Sequence, residues 1–198
     1  MTQQALKNAP TVIVLAAGRG ERFRASVAQS LAHDRGDVKL DAPLAGVSVR
    51  THVLRSVQRS GLPYHVVEAA QTAHIPQAGM GDSIAIGVKA TEAQANGWLI
   101  LPADLPLVQP DTLLAVAAAL QQHAVVVPLY RGQKGHPVGF SKACAQALMA
   151  LKGDRGASSV VQAHQPLMLP TEDQGCVHDV DTLELLLQAE MWLMQQKM

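Results

Sequence analysis

The chain has 198 residues, of which 48% are hydrophobic and 16% are charged, and its 16 basic and 16 acidic residues leave no formal net charge. This composition is typical of a globular protein and excludes an intrinsically disordered chain. Zero net charge provides no field to hold the protein on nucleic acid or on an anionic membrane, so a bound anion must be caught locally. The length favours one domain over residues 1–198.

The N-terminus and the cysteines indicate where the protein works. The first ten residues, MTQQALKNAP, lack a hydrophobic signal core, and no apolar run approaches the roughly 20 residues of a membrane-spanning helix. Cys144 and Cys176 have no C-x-x-C spacing and no histidine pattern typical of zinc. We therefore expect a soluble cytoplasmic protein with two reduced thiols.

Apolar strand-like runs alternate with helical patterns, which favours an α/β fold with a mostly parallel sheet. Residues 11–16 (TVIVLA) predict the first strand, because a continuously apolar run is typical of a strand buried on both faces. The further predicted strands, in chain order, are 64–69, 97–103, 124–130, 137–140 and 176–180.

Helical spacing of apolar residues predicts four helices between and after these strands. Ser141 is expected to cap the third of them and Asp181 the fourth. Glu184 stands three residues after Asp181, which is the spacing of a capping box. The predicted helices are 44–60, 111–122, 141–152 and one that opens at 181.

The first predicted strand ends in Gly-Arg-Gly at 18–20, and Arg22 and Arg24 follow at once. Ligands of open α/β sheets lie beyond the carboxyl ends of the strands, where glycines let backbone N–H groups approach an anion. The pattern favours a phosphate site, although the glycines also fit a simple strand-to-helix turn. Phe23 stands where a dinucleotide fingerprint needs its third glycine, and the chain has no Walker motif.

Two aspartates follow apolar runs later in the chain. Asp104 comes after the predicted strand 97–103, and Asp179 lies on the extended segment before the last helix. A carboxylate at the tip of a buried strand is costly unless a positive group meets it. Mg²⁺ favours one or two carboxylates together with phosphate oxygens. We therefore expect Asp104 and Asp179 to bind Mg²⁺, with a turn-capping role for Asp104 as the alternative.

Taken together, these motifs resemble the MobA-like nucleotidyltransferases, and among them the molybdenum cofactor cytidylyltransferases. The resemblance covers nearly the whole chain, although an insertion of about a dozen residues separates Arg22 from Lys39, the counterpart of the family lysine. Seven segments carry the resemblance, in the family's order: LAAGRGER (15–22), KLDAPLAG (39–46), GMGDSIAIGV (79–88), PADLPLVQPDTL (102–113), GHPVGF (135–140), GDRGA (153–157) and DVDTLELL (179–186).

The resemblance implies a three-layer α/β/α, Rossmann-like nucleotidyltransferase fold. It also implies an activity: transfer of NMP from an NTP, with CTP expected, to a phosphorylated acceptor of the molybdopterin type, with Mg²⁺ as cofactor and pyrophosphate as product. A molybdoenzyme is the partner that would receive the product. The alternatives are a GTP-dependent or sugar-phosphate nucleotidyltransferase of the same fold, and a nucleotide-binding regulator without catalysis. The regulator is disfavoured because no charged residue of the phosphate end is missing.

Specific residues follow from the resemblance. The expected catalytic residues are Arg22, Lys39 and Asp104. His136 and Arg155 are the expected acceptor-binding residues, with a structural histidine and a solvated arginine as alternatives. An N-capping role is the alternative for Ser83. The expected nucleotide-binding residues are Leu15, Ala16, Ala17, Gly18, Gly20, Arg22, Lys39, Gly79 and Ser83.

Overall fold

The computed structural model describes residues 9–30, 36 and 38–195, which form an α/β structure around a mixed, mostly parallel sheet. Its strands are β1 (Thr11–Ala16), β2 (Pro43–Leu44), β3 (Val47–Ser48), β4 (Tyr64–Glu68), β5 (Gly97–Pro102), β6 (Val125–Tyr130), β7 (Gln133–Lys134), β8 (Val138–Ser141) and β9 (Leu167–Pro170). Its α-helices are α1 (Glu21–Ala28), α2 (Val49–Ser60), α3 (Ala69–Thr72), α4 (Met80–Thr91), α5 (Pro110–Ala119), α6 (Ala145–Met149), α7 (Ser158–Gln162) and α8 (Leu183–Gln195).

Within the described residues the main sheet has seven strands, in the order β4-β1-β5-β8-β6-β7, with β9 also paired to β6. β1 runs parallel to both β4 and β5, and β6 runs parallel to β9. β8 lies between β5 and β6 and is antiparallel to both. The carboxyl ends of β4, β1 and β5 therefore meet at one edge of the sheet, and β2 and β3 form a separate hairpin.

Helices cover both faces of this sheet. Val12 and Val14 of β1 pack in a cluster that includes side chains of α2 and α5. Ile13, which points to the opposite face, packs in a second cluster with side chains of α4, α6 and α7. This alternation along β1 produces three layers, and the expected α/β/α fold is confirmed.

A third apolar cluster fixes α1 and α8 against each other. Phe23 of α1 is fully buried there, together with Leu183 and Leu186 of α8 and with Val180 from the segment before that helix. Because α1 follows β1 directly, this packing brings the segment around Val180 to the carboxyl edge of the sheet.

All the predicted strands but one are confirmed, with bounds that move by at most one residue. The exception is 176–180, which is wrong because residues 174–177 form a 3₁₀ turn. Asp173 caps that turn by accepting a hydrogen bond from the Gly175 N–H at 2.8 Å, and Gly175 packs tightly against the backbone of Leu107. β9 has no counterpart among the predicted strands.

The predicted helix 44–60 is confirmed only over Val49–Ser60, because the residues before it form the β2–β3 hairpin. Ala45 and Gly46 at its tip both take positive φ, 48° and 94°, which is the backbone of a two-residue hairpin turn. A local apolar spacing does not distinguish that hairpin from a helical turn.

The predicted helix 141–152 is also shorter than expected. A 3₁₀ turn over Lys142–Cys144 leads into the five-residue α6, and the Ser141 side chain makes no cap hydrogen bond. The predicted helix 111–122 is confirmed as α5, which begins at Pro110. No helix of the described residues combines the length and apolar character needed to cross a membrane.

Candidate active site

The carboxyl ends of β1 and β5 open onto a cleft of about 610 Å³, the place where open α/β sheets bind ligands. Its walls are the turn after β1, the chain that leads into α4, and the loop after β5, together with the side chains of Lys39 and Asp181. The expected nucleotide-binding residues that line it are Leu15, Ala17, Gly18, Gly20, Arg22, Lys39, Gly79 and Ser83.

The turn after β1 brings backbone amides next to Lys39. Gly20 takes a left-handed conformation, with φ at 62°, and immediately precedes α1. A Cβ on Gly20 would lie only 3.2 Å from the Cβ of Lys39, whereas a Cβ on Gly18 would meet nothing within 4 Å. The space at Gly18 and the amides of the first turn of α1 suit phosphate oxygens.

Lys39 joins two carboxylates from distant parts of the chain. Its Nζ donates to Asp104 Oδ2 at 2.6 Å and to Asp181 Oδ1 at 2.8 Å. The other oxygen of Asp181 lies 2.6 Å from the Arg22 guanidinium. Lys39, Asp104 and Asp181 have less than a fifth of their side-chain surface exposed, whereas Arg22 is 79% exposed. Two cations and two carboxylates thus meet in the cleft, and their charges balance.

These contacts shift the pKa values of the cluster. Burial alone would lower the pKa of Lys39, but the charges and hydrogen bonds of Asp104 and Asp181 outweigh burial and raise it. Burial would raise the pKa of Asp181, but hydrogen bonding to Lys39 and the nearby charges of Lys39 and Arg22 lower it. Lys39 and Asp181 are therefore both charged at neutral pH.

Asp181 is not the cap of the last helix. The Thr182 Oγ1 accepts from the Leu185 N–H at 3.3 Å, and Ser26 Oγ of α1 accepts from the Leu183 N–H at 2.9 Å. These two hydroxyl groups serve the start of α8, which leaves the Asp181 carboxylate available to the cluster. The capping-box interpretation of Asp181 is therefore wrong.

Asp179, which the sequence assigns to a metal, lies next to Asp181 but has no contact with Lys39 among the described residues. The residue is exposed and does not line the cleft. The pKa of Asp179 is raised, because partial burial and a hydrogen bond to Asp181 favour its protonated form. It is Asp181, two residues later in the chain, that shares Lys39 with Asp104.

A family model agrees with this geometry. The model of the MobA-like NTP transferase domain matches residues 12–167. The chain belongs to this family. It is also 30% identical over 200 residues to the purine catabolism protein PucB of Bacillus subtilis (strain 168), a match that covers 87% of this chain and 91% of PucB.

Solved structures share the fold of this MobA-like domain. A nucleotidyl transferase from Methanothermobacter thermautotroptrophicus (Mth528) superposes with a TM-score of 0.79 at 20% identity, over 96% of this chain and 99% of that one. A manganese complex of Rv0371c from Mycobacterium tuberculosis superposes with a TM-score of 0.69 at 22% identity, over 92% of this chain and 98% of that one. Molybdopterin-guanine dinucleotide biosynthesis protein A from Archaeoglobus fulgidus superposes with a TM-score of 0.63 at 14% identity, over 93% of this chain and 99% of that one.

The carboxylates of this MobA-like site fit a divalent cation. Asp104 Oδ1 is buried and has no hydrogen-bond partner within the part of the chain that the structure describes. A buried carboxylate oxygen without a hydrogen bond destabilises the folded protein, and a bound cation would compensate for the missing partner. No group of three or more metal-ligating side chains occurs among the described residues. A metal here would therefore take two carboxylates and fill its shell with water and phosphate oxygens, which suits Mg²⁺.

The start of α4 forms the opposite wall of the cleft. Asp82 Oδ2 accepts hydrogen bonds from the N–H groups of Gly79 and Gly153, both at 2.9 Å, and so ties α4 to the 3₁₀ turn Gly153–Arg155. A Cβ on Gly79 would lie 2.3 Å from the carbonyl carbon of Gly153. Ser83 is buried in this wall and donates to the Gly79 carbonyl, whereas Gly79 itself holds the N-cap position.

Besides Asp179, three residues assigned to the site by the sequence do not line the cleft. Ala16 is buried at the end of β1. Arg155 is exposed outside the cleft. The Nδ1 of His136 is buried and has no hydrogen-bond partner among the described residues. Burial lowers the pKa of His136, although the Ile100 backbone and the Asp104 charge oppose that shift.

Asp154 is one of the cleft residues that lie outside the expected set. It belongs to the GDRGA segment, which the sequence singles out only for the neighbouring Arg155. Gly153 and Gly156 on its two sides both have positive φ, 66° and 55°. In the sequence, the glycines that flank Asp154 and Arg155 indicate that this turn adopts an unusual backbone conformation.

Replacing Asp82 by asparagine is expected to destabilise the protein by about 1–3 kcal/mol at pH 7, because two backbone donors lose a charged acceptor. Hydrogen bonds from Gly79 and Gly153 lower the pKa of Asp82 below its ordinary 3.8. Its stabilisation is therefore complete above pH 3.8 and disappears as the pH falls through the lower folded-state pKa.

Urea unfolding of wild type and Asp82→Asn between pH 3 and pH 7 would measure this difference. The matched control is Asp154→Asn, since that neighbouring carboxylate makes no hydrogen bond or ion pair within the described residues and its loss should leave stability unchanged. A difference between wild type and Asp82→Asn that stays constant over this pH range would contradict the assignment.

Proposed function

We propose that the protein is a divalent-metal-dependent nucleotidyltransferase that moves NMP from an NTP, with CTP favoured, to a phosphorylated acceptor. The observation that carries the proposal is the Lys39 ammonium, held between Asp104 and Asp181 beside the glycine turn after β1. Amides, a lysine and an arginine meet the charge of a triphosphate there, and the two carboxylates suit the metal that accompanies it.

The reaction needs no side-chain nucleophile. A phosphate oxygen of the acceptor attacks the α-phosphorus of the NTP, a new P–O bond forms, and the bond to the β-phosphate oxygen breaks to release pyrophosphate. The acceptor oxygen is already anionic near neutral pH, so no general base is required. Catalysis then consists of positioning the reactants and neutralising charge.

The residues of the cleft divide this work. The amides of residues 17–20 hold the β- and γ-phosphates, and Arg22 neutralises charge on the departing pyrophosphate. Lys39 turns from the carboxylates toward the α-phosphate and stabilises charge there. Asp104 and Asp181 would hold Mg²⁺, which would supply positive charge to the phosphate oxygens.

The acceptor we propose is a molybdopterin-type molybdenum cofactor. Support comes from the seven sequence segments that resemble the motifs of MobA-like nucleotidyltransferases, and from the fold shared with a molybdopterin-guanine dinucleotide biosynthesis protein. PucB, whose name places it in purine catabolism, is a relative over most of its length. We also propose that the enzyme works in the cytoplasm, where Cys144 and Cys176 would stay reduced, and that it delivers its product to a molybdoenzyme.

Two assays test the proposal in sequence. Thermal unfolding with CTP, GTP, ATP and UTP plus Mg²⁺ identifies the nucleotide, because a ligand at 100 times its Kd adds about 2.7 kcal/mol of stability. Pyrophosphate release is then measured with molybdopterin and, separately, with a sugar phosphate. Release that requires CTP and molybdopterin is the expected result. Tight binding without release would support the regulator instead, and stabilisation by none of the four would refute the nucleotide site.

A further inference from the structure

Four carboxylates line the cleft, and three of them have cationic partners. Asp104 and Asp181 bind Lys39, and Glu21 lies 3.9 Å from Arg19. Asp154 has neither an ion pair nor a hydrogen bond among the described residues. It is an exposed residue that lines the cleft. An acceptor-only group without a partner therefore faces the space where the nucleotide binds.

The position of Asp154 is fixed by the wall behind it. A Cβ on Gly79 would lie 2.4 Å from Asp154 Oδ1, so this carboxylate packs directly on the backbone of Gly79. The preceding residue, Gly153, is held by its hydrogen bond to Asp82. Asp154 is thus presented by an anchored turn, next to Gly79 and Ser83, which the sequence assigns to nucleotide binding.

An unpaired carboxylate works against a cleft that collects phosphates, because like charges repel across a partly buried site. The repulsion is compensated if the ligand offers a donor to this carboxylate. Exocyclic amines of nucleobases are such donors, and Asp and Glu accept hydrogen bonds from the N4 amine of cytosine. Uracil presents a carbonyl oxygen at the same position, and two acceptors facing each other cannot form a hydrogen bond.

We propose that Asp154 determines base specificity by accepting a hydrogen bond from the exocyclic amine of the bound nucleobase, so that CTP is selected over UTP. The inference rests on the proposed function, since it requires a nucleotide in this cleft. It adds a residue that distinguishes two pyrimidines which share the same ribose and triphosphate. The hydrogen bond to a charged acceptor, together with the acceptor–acceptor clash for UTP, should give at least about tenfold discrimination.

Calorimetric titration of CTP and UTP with Mg²⁺, in the absence of acceptor, tests the inference in wild type, Asp154→Asn and Asp111→Asn. Asparagine has nearly the same shape as aspartate but offers a donor as well as an acceptor. In Asp154→Asn the CTP-to-UTP affinity ratio should fall from at least about tenfold to near one, with weaker CTP binding and unchanged or stronger UTP binding. Asp111, exposed at the start of α5 and outside the cleft, is the matched control and should keep the wild-type ratio.

The outcomes separate this inference from the proposed function. Wild type that binds none of the nucleotides refutes both. Wild type that binds nucleotides while Asp154→Asn keeps the wild-type ratio, or loses CTP and UTP equally, refutes the role of Asp154 alone. A raised KM for the acceptor with an unchanged nucleotide ratio also refutes it, because Asp154 would then contact the acceptor. If wild type prefers a purine, ITP, which lacks the amines of GTP and ATP, replaces UTP in the same comparison.

Discussion

Lys39→Met is expected to lower turnover by at least about 10² and, at the same time, to strengthen the binding of Mn²⁺ in the absence of nucleotide. The turnover falls because a cation aimed at the reacting phosphate contributes about 10²–10³ in rate. Metal binding strengthens because the Lys39 ammonium occupies an oxygen of each carboxylate, at 2.6 Å from Asp104 and 2.8 Å from Asp181. A divalent cation beside that ammonium would be repelled by it.

Direct titration of Mn²⁺ followed by electron paramagnetic resonance measures the metal affinity without turnover. Lys89→Met is the control, since Lys89 is exposed in the last turn of α4 and outside the cleft. It should leave both quantities unchanged. Equal or weaker Mn²⁺ binding by Lys39→Met would show that lysine and metal do not compete for Asp104 and Asp181. The opposite signs of the two effects also exclude simple unfolding, which would weaken both.

The parts of the site that follow from local sequence were predictable. β1 and β5 are continuously apolar because both faces of the sheet are covered, and the glycine turn and Asp104 follow them directly. Since parallel strands end at one edge, the topology alone brings residues 18–20 near Asp104. Lys39 was assigned only through a family resemblance, because its contact with Gly20 closes a long segment whose path the sequence does not specify.

The remaining features depend on contacts between distant segments. Burial of Val180 and the hydrogen bond that the Leu183 N–H donates to Ser26 Oγ fix the conformation of the chain before α8. Local spacing alone therefore does not reveal which of two nearby aspartates faces Lys39. Asp154 enters the cleft because the turn around it packs on Gly79, far away in sequence. In both segments the local sequence is compatible with more than one backbone conformation, and tertiary packing determines which one forms.

The pair Asp181→Asn and Asp179→Asn tests which acid belongs to the site. Asp181→Asn is expected to reduce turnover by about 10²–10³, because it removes a charged partner of Lys39 and Arg22 together with a proposed metal ligand. Asp179→Asn should change turnover by less than about tenfold, because Asp179 does not line the cleft and makes no ion pair with Lys39 or Arg22 among the described residues. The two changes remove the same charge from positions two residues apart, so each serves as the control for the other.

Pyrophosphate release and Mn²⁺ titration on both variants provide the measurement. The metal affinity should fall in Asp181→Asn and stay near wild type in Asp179→Asn. The reverse order would restore the assignment made from the sequence, with Asp179 as the ligand and Asp181 as a partner of Lys39 alone. Equal and small effects of both would mean that Asp104 holds the metal without a second carboxylate, since its Oδ1 is the oxygen that the protein leaves without a hydrogen bond among the described residues.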